Sequence, residues 1–194
     1  MLDNKAKSND FIGAALALAK PVEEGVGAGG VYTLQCFDKE GVLKWEASSP
    51  NLVVNVGLKD MNDKYFSGSA YTAAWFIGLI TGPGSGTTFA AGDTAASHAG
   101  WTENTGYSNA TRPSATFGAA TTADPSVISN SASPASFNIN ATSVIAGAFL
   151  ISNSTKGGTT GILFSASDFQ SPGDRSVVSG DTLNVTYTFN LDAV

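Results

Sequence analysis

The stretch Leu183-Asn-Val-Thr-Tyr-Thr-Phe-Asn-Leu191 decides the fold, because its apolar and polar side chains alternate without interruption. The five apolar residues fall on one face, and the Asn and Thr residues fall on the other. Period-2 alternation in residues that favour strands predicts a β-strand with one face buried. Nine residues at about 3.3 Å each span roughly 30 Å, the full height of a β-sandwich.

Shorter segments of similar character precede this strand. Turn residues separate them at intervals typical of antiparallel β-sandwiches and not of alternating strands and helices. The strands predicted from the sequence are 31–37, 42–45, 51–54, 73–80, 114–117, 127–130, 137–140, 144–151, 161–164 and 183–191. We therefore expect residues 30–194 to form one mainly β domain, an antiparallel β-sandwich of the jelly-roll or immunoglobulin-like kind.

One helix is predicted inside this domain, after Asn55, which is a suitable N-cap residue. Its apolar residues are spaced to form one face, which we expect to pack on the sandwich. Those residues are Leu58, Met61, Tyr65 and Phe66. One more helical turn is expected around residues 90–96, inside a long Gly- and Thr-rich loop.

Residues 1–29 are predicted to form an arm outside the sandwich. Residues 11–20 suit a short helix that ends at Pro21, and the glycines of 25–30 suit a hinge. The apolar side chains surround this helix instead of forming a stripe, so we expect it to bind a partner. The candidate partner-binding residues are Phe11, Ile12, Leu16 and Leu18. A flexible, unbound arm is the alternative.

The composition limits the possible functions. Charged residues make up only 13% of the chain and the net charge is −6, so no basic surface for nucleic acid is expected. No apolar run reaches the roughly 18 residues that a membrane-spanning helix needs. Cys36 is the only cysteine, which excludes an intrachain disulfide and fits synthesis in a reducing cytoplasm.

The sequence contains few residues that could act in catalysis or bind a metal. His98 and Cys36 are the only residues of their kinds, and Asp93, His98 and Glu103 match no known metal-ligand spacing. We expect Asp93 and His98 to hydrogen-bond the loop that carries Trp101. The acids at 168, 174 and 181 lie beside turn residues, where Asp commonly bonds to the backbone. The sequence predicts no enzyme, no cofactor and no metal site.

Trp101 and Tyr107 lie in a loop that also carries Asn104 and Asn109. Most other aromatic residues fall within apolar strands and are expected in the core. These two are therefore the aromatic residues that we expect to be exposed and available to a partner or to a sugar ring.

Three stretches resemble a family of tailed-bacteriophage virion proteins: Asp63-Lys-Tyr-Phe-Ser-Gly-Ser-Ala-Tyr-Thr-Ala-Ala-Trp75, Gly92-Asp-Thr-Ala-Ala-Ser-His-Ala-Gly-Trp-Thr-Glu103 and Asp174-Arg-Ser-Val-Val-Ser-Gly-Asp-Thr-Leu-Asn-Val-Thr-Tyr187. The likeness covers residues 30–192 and carries no catalytic residues. It implies a structural protein of the virion, made in the bacterial host cytoplasm, that binds the major capsid protein or other virion proteins. It also implies a homo-oligomer or many copies on the particle. A capsid decoration or cement protein bound to the major capsid protein is the first expectation. A head-fibre, tail or host-adhesion protein is the alternative.

Overall fold

The computed structural model describes residues 25–71, 74–82, 88–169 and 173–193. The elements in chain order are β1 (Val26–Phe37), β2 (Leu43–Pro50), β3 (Leu52–Val53), α1 (Asn55–Phe66), β4 (Phe76–Thr81), β5 (Glu103–Asn104), β6 (Ser126–Ser129), β7 (Ala135–Asn138), β8 (Ser143–Ile151), β9 (Leu163–Asp168), β10 (Arg175–Val177) and β11 (Thr182–Ala193).

The strands form two antiparallel sheets. Sheet A has five strands in the order β2-β1-β11-β6, with β7 also paired to β11; sheet B has six in the order β3-β9-β8-β4-β5, with β10 paired to β8. The predicted mainly β antiparallel sandwich with a helix inside the domain is confirmed. The strands at 103–104 and 175–177 were not predicted, and the strand predicted at 114–117 is reduced to a single bridge between Phe76 and Ser114.

Strand β11 lies at the centre of sheet A, as its alternating pattern suggested. It pairs with β1 along its whole length, from Val26 opposite Ala193 to Phe37 opposite Thr182, and with β6 and β7 on its other side. Leu183, Val185 and Tyr187 are fully buried between the sheets. The alternation thus places one face of β11 in the core.

The core between the sheets contains polar groups that are hydrogen-bonded to one another. The rings of Tyr32 and Tyr187 stack with their centroids 4.5 Å apart. The Tyr32 hydroxyl lies 2.8 Å from Ser165 Oγ on the opposite sheet, and Asn51 Nδ2 donates to the Tyr187 hydroxyl over 2.7 Å. Buried hydroxyls of this kind need partners, and here they join one sheet to the other.

The predicted hinge at 25–30 is wrong, because Val26 to Gly30 form the first part of β1. Glycine is required at position 30 for packing: a Cβ there would lie 2.6 Å from the Thr188 carbonyl oxygen and 2.9 Å from the Tyr187 hydroxyl. The glycines of this stretch therefore allow close approach within a sheet. The sandwich therefore includes Val26, four residues before the start at residue 30 that the sequence predicted.

The outer face of sheet B is covered by a second apolar layer. Phe89 and Trp101 of the loop before β5 pack there, together with Val54 and Val56 at the start of α1. Residues 90–96 do not form the expected helical turn; they form two tight turns, and Thr94 bridges Ser97. Sheet B is thus buried on both faces, which explains why β8 carries no polar side chain from Val144 to Ile151.

Candidate functional site

The predicted anchors Phe11, Ile12, Leu16 and Leu18, with the helix expected over 11–20, lie outside the described residues. Their role in binding a partner stays a prediction.

The expectation that Trp101 and Tyr107 are exposed is wrong: both side chains are buried. The neighbouring polar residues that suggested exposure bond within the protein. Asn104 donates to Ser143 Oγ, and Asn109 donates to the Ser136 carbonyl. Tyr107 lies edge-on to a core phenylalanine, and burial, followed by the Glu103 carboxylate, raises the pKa of its hydroxyl.

Asp93 and His98 hold Trp101 in place, as the sequence suggested. Trp101 Nε1 donates to Asp93 Oδ2 over 3.0 Å, and the His98 ring stacks on the indole at 3.9 Å between centroids. His98 Nδ1 also lies 3.0 Å from the Trp101 carbonyl oxygen. These contacts fix the loop against sheet B.

Glu103 forms a buried ion pair with Arg112, which the sequence analysis missed. Arg112 Nε donates to Glu103 Oε1 over 2.9 Å, and Nη2 donates to Oε2 over 2.7 Å. The remaining contacts tie the loop after β8 to this pair: Arg112 donates to the carbonyls of Asn153 and Gly158, and Gly157 N donates to Glu103. The guanidinium also lies over the Phe149 ring at 5.2 Å.

A cavity of about 210 Å³ borders this ion pair. Trp101, Phe149, Ile151 and Leu163 form its apolar wall, and both charged partners that reach it are already bonded to each other. Across the described residues, no three His, Cys, Asp or Glu side chains converge closely enough to hold a metal ion. Glu103 and Arg112 thus join the loop after β8 to the segment that begins at β5, an arrangement that we call the Glu103–Arg112 clasp.

A second polar cluster joins β1 and β2 to the turn that precedes β11. Asp181 accepts hydrogen bonds from Lys44 Nζ over 2.6 Å and from Val178 N over 2.9 Å, and Cys36 Sγ lies 3.6 Å from the same oxygen. Burial alone would raise the pKa of Asp181, but these donors hold it below its usual value. Burial, with the Asp181 charge, raises the pKa of the Cys36 thiol to about 12. Cys36 is thus an unreactive core thiol.

Asp168 is the last residue of β9, and its surroundings disfavour the charged carboxylate. Its Oδ1 is buried without a hydrogen-bond partner. Burial, and then the negative charge of Asp174, raise its pKa above the usual value. The native protein therefore holds this proton to a higher pH than the unfolded chain, so the unfolding free energy falls as pH rises through this pKa.

Replacing Asp168 with Asn is expected to raise the unfolding free energy at pH 7. The gain should shrink as pH falls and vanish below about pH 3.9, where the aspartate is protonated in the unfolded chain as well. Urea unfolding at several pH values measures this, with Glu40→Gln at an exposed turn as the matched loss of one negative charge. A variant less stable than the parent at pH 7 would contradict the assignment.

The apolar face of α1 points away from the sandwich. Leu58, Tyr65 and Phe66, which we expected to pack inward, are 40%, 84% and 79% exposed. With Asn62 they occupy positions i, i+4, i+7 and i+8, so they form one stripe along the helix. We call these four residues the α1 stripe.

The packing of the first turn explains this orientation. Gly57 is the buried residue of α1, and a Cβ at that position would lie 2.5 Å from the Phe164 carbonyl oxygen of β9. The helix therefore approaches sheet B along the face of Gly57 and Met61, which packs on the core. The cap is also different from the expected one: Val54 is the N-cap and makes no side-chain hydrogen bond.

Tyr71 adds a third exposed ring shortly after the helix, at 75% exposure. The rings of Tyr65 and Phe66 contact each other edge to face at 4.9 Å. Large apolar side chains grouped on a surface mark a binding site more often than scattered ones do. Gly57 was the sequence signal for this orientation, because a glycine inside a helix indicates close packing at its own position.

No family model, no curated protein and no solved structure matches the chain significantly. No helix in the described part of the chain has the length and apolar character needed to span a bilayer.

Proposed function

We propose that this chain is a structural protein of a bacteriophage virion, and that it acts as a capsid decoration or cement protein. It docks on the lattice of the major capsid protein in many copies. The observation that carries the proposal is the α1 stripe, a helix face whose large apolar side chains are open to solvent. The likeness of residues 63–75, 92–103 and 174–187 to phage virion proteins supports the choice of particle.

Two ion pairs of the domain fit this role, because they hold separate parts of the chain together. The Glu103–Arg112 clasp and the Asp181–Lys44 pair each join separate parts of the chain. A decoration protein needs a fixed surface that matches a lattice, and both pairs help to fix loops and edges of the sandwich. A net charge of −6 favours a protein partner over nucleic acid.

The anchor combines the α1 stripe with the N-terminal arm. Residues 11–19 contain no polar side chain, and burying each of Phe11, Ile12, Leu16 and Leu18 contributes about 1.5–3 kcal/mol. Ordering the arm costs roughly 1–2 kcal/mol per residue in backbone entropy. Because the ordering cost equals or exceeds the gain from burial, the arm needs the additional contacts that the exposed rings supply.

The double variant Tyr65→Ser/Phe66→Ser is expected to bind particles at least about 100-fold more weakly than the parent, because it removes two large apolar groups from the interface. Co-sedimentation with capsids that lack this protein measures the change. Deletion of residues 1–24 should weaken binding similarly, and it removes none of the described strands.

The matched control is Val42→Ser/Leu43→Ser, which removes two exposed apolar side chains at the start of β2. This control should bind like the parent. Equal binding by the parent and by both test variants would show that neither the arm nor the stripe is the anchor.

A host-adhesion role is the second candidate, and the rings of Tyr65, Phe66 and Tyr71 are the observation that favours it. Exposed aromatic faces with polar neighbours such as Asn62 and Ser69 can stack on sugar rings. This role predicts that the purified protein binds host-cell glycans and does not bind capsids. The double variant Tyr65→Ser/Phe66→Ser should lose the glycan binding.

A further inference from the structure

We infer that the cavity between β3, β9 and the loop before β5 binds a primary ammonium group. The Asp168 carboxylate is its main acceptor, and the alkyl chain of the amine lies on the apolar wall of the cavity. The site lies on sheet B and is a property of the free protein, so the inference does not rest on the proposed function or on the α1 stripe.

The walls of this cavity are formed by ordered parts of the sandwich. It measures about 360 Å³, within the range of about 300–1,000 Å³ typical of small-ligand sites. Its apolar residues are Leu52 and Ala166, which pair in sheet B, and Phe89, whose ring packs on Trp101 with 5.9 Å between centroids. Leu52 is 37% exposed and Thr88 on the opposite wall is also exposed, so solvent reaches the cavity between them.

Two hydrogen-bond acceptors on the residues that line the cavity have no donor. Asn51 Oδ1 and Asp168 Oδ1 are buried without a partner, and they are two of the four such side-chain atoms in the described part of the chain. The Asn51 amide nitrogen is held by the Tyr187 hydroxyl, so turning this amide toward Asp168 would break that bond. Rotation about χ2, which is soft for aspartate, brings either carboxylate oxygen toward the cavity.

The hydroxyl groups nearest to Asp168 are already used. Ser167 Oγ donates to the Pro50 carbonyl over 3.0 Å, and Ser49 Oγ donates to the main-chain carbonyl of Asp168. These bonds fix the backbone around the carboxylate but supply no donor to its Oδ1. Because a buried acceptor without a donor is unfavourable, a ligand that brings N–H groups into the cavity gains hydrogen bonds that the folded chain does not make itself.

The charge at the cavity selects a cationic donor. Burial, followed by the charge of Asp174, raises the pKa of Asp168, and a positive charge nearby would offset both effects. A calcium ion takes six to eight oxygen ligands, whereas no three acidic, His or Cys side chains of the described residues converge here. A primary ammonium group brings one charge and three N–H donors, and its alkyl chain can pack on Leu52 and Phe89.

NMR titration of the full-length protein with n-butylammonium at pH 7 tests the site. The probe should shift the backbone amide signals of the lining residues with one dissociation constant of about 1–10 mM, as expected for a five-atom ligand. In Asp168→Asn the affinity should fall at least about ten-fold. Because this variant is expected to be more stable than the parent at pH 7, unfolding does not explain the loss. Glu40→Gln, the matched loss of one negative charge at an exposed turn, should bind like the parent.

Two further probes keep the alkyl chain and change the head group. n-Butyltrimethylammonium carries the charge without an N–H donor, and n-butanol carries a hydroxyl donor without the charge. Both should bind at least about ten-fold more weakly than n-butylammonium. Equal binding by either probe would overturn the assignment to a primary ammonium group. No saturable shift in the parent, or equal affinity of Asp168→Asn and the parent, would overturn the site itself.

A lysine side chain of a partner and a free aliphatic amine present the same group, and particle binding separates these two sources. Asp168→Asn and Glu40→Gln are compared by co-sedimentation with capsids that lack this protein. Weaker sedimentation of Asp168→Asn assigns the site to a lysine of the capsid, and equal sedimentation of the two variants assigns it to a free amine. Since the titration uses no particles, the site and the proposed function fail separately.

Discussion

Replacing Glu103 with Gln is expected to lower the free energy of unfolding by about 3–5 kcal/mol, because it leaves the Arg112 charge buried without its counter-charge. The Arg112 side chain is only 2% exposed and that of Glu103 is 9% exposed. Both side chains are therefore largely shielded from the water that would solvate an unpaired charge. The substitution also weakens the acceptor for Gly157 N, so the loop after β8 should loosen.

Urea unfolding of the parent and the variant measures this loss. The matched control is Asp63→Asn, which breaks the exposed i,i+4 pair with Lys59 on α1 and should cost no more than about 0.5 kcal/mol. The double variant Glu103→Gln/Arg112→Gln should lose less than the sum of its parts, since it removes the unpaired buried charge as well. Equal losses for Glu103→Gln and Asp63→Asn would contradict the burial argument.

The Glu103–Arg112 ion pair was partly predictable from the sequence. Only ten charged residues lie beyond residue 66, and Glu103 and Arg112 are two of them with opposite sign and nine positions apart. Sparse charges in a neutral stretch are more often paired than free when they are buried. Their pairing still depends on β5 and the loop after it, which carry little local pattern, so spacing alone did not reveal it.

The sheets were predictable because alternation depends on one strand and its own environment. Strand β11 has polar residues at every second position, and burial of the others requires only that one face meets a core. The orientation of α1 was not predictable in this way. It depends on Gly57 meeting the Phe164 carbonyl of β9, more than a hundred residues away in sequence.

The predicted exposure of the loop that carries Trp101 and Tyr107 was wrong for a related reason. Asn104 and Asn109 look like solvent-facing residues, yet each is bonded to a partner far along the chain. Polar residues beside an aromatic residue are found both in solvent-exposed loops and in buried loops whose polar side chains bond within the protein. The partners that decide between the two, Ser143 and the Ser136 carbonyl, carry no signal in the local sequence.

Replacing Phe189 with Ala is expected to lower the unfolding free energy by about 3–5 kcal/mol, the usual cost of emptying a buried phenylalanine site. Phe189 lies on β11, is 9% exposed, and meets the Phe164 ring of the opposite sheet edge to face at 5.4 Å. The loss should be large because the neighbours are strands held by ladders on both sides, so the site cannot collapse easily.

Phe66→Ala is the matched control, since it makes the same truncation on the α1 stripe, where the side chain is 79% exposed. It should change the unfolding free energy by no more than about 0.5 kcal/mol. Chemical denaturation of the two variants separates the two environments directly. A loss of several kcal/mol for Phe66→Ala would contradict the exposure of the α1 stripe in the free protein. A small loss for Phe189→Ala would contradict the position of β11 at the centre of the sandwich. The pair of variants therefore tests the strand on which the fold depends and the helix face on which the docking proposal depends.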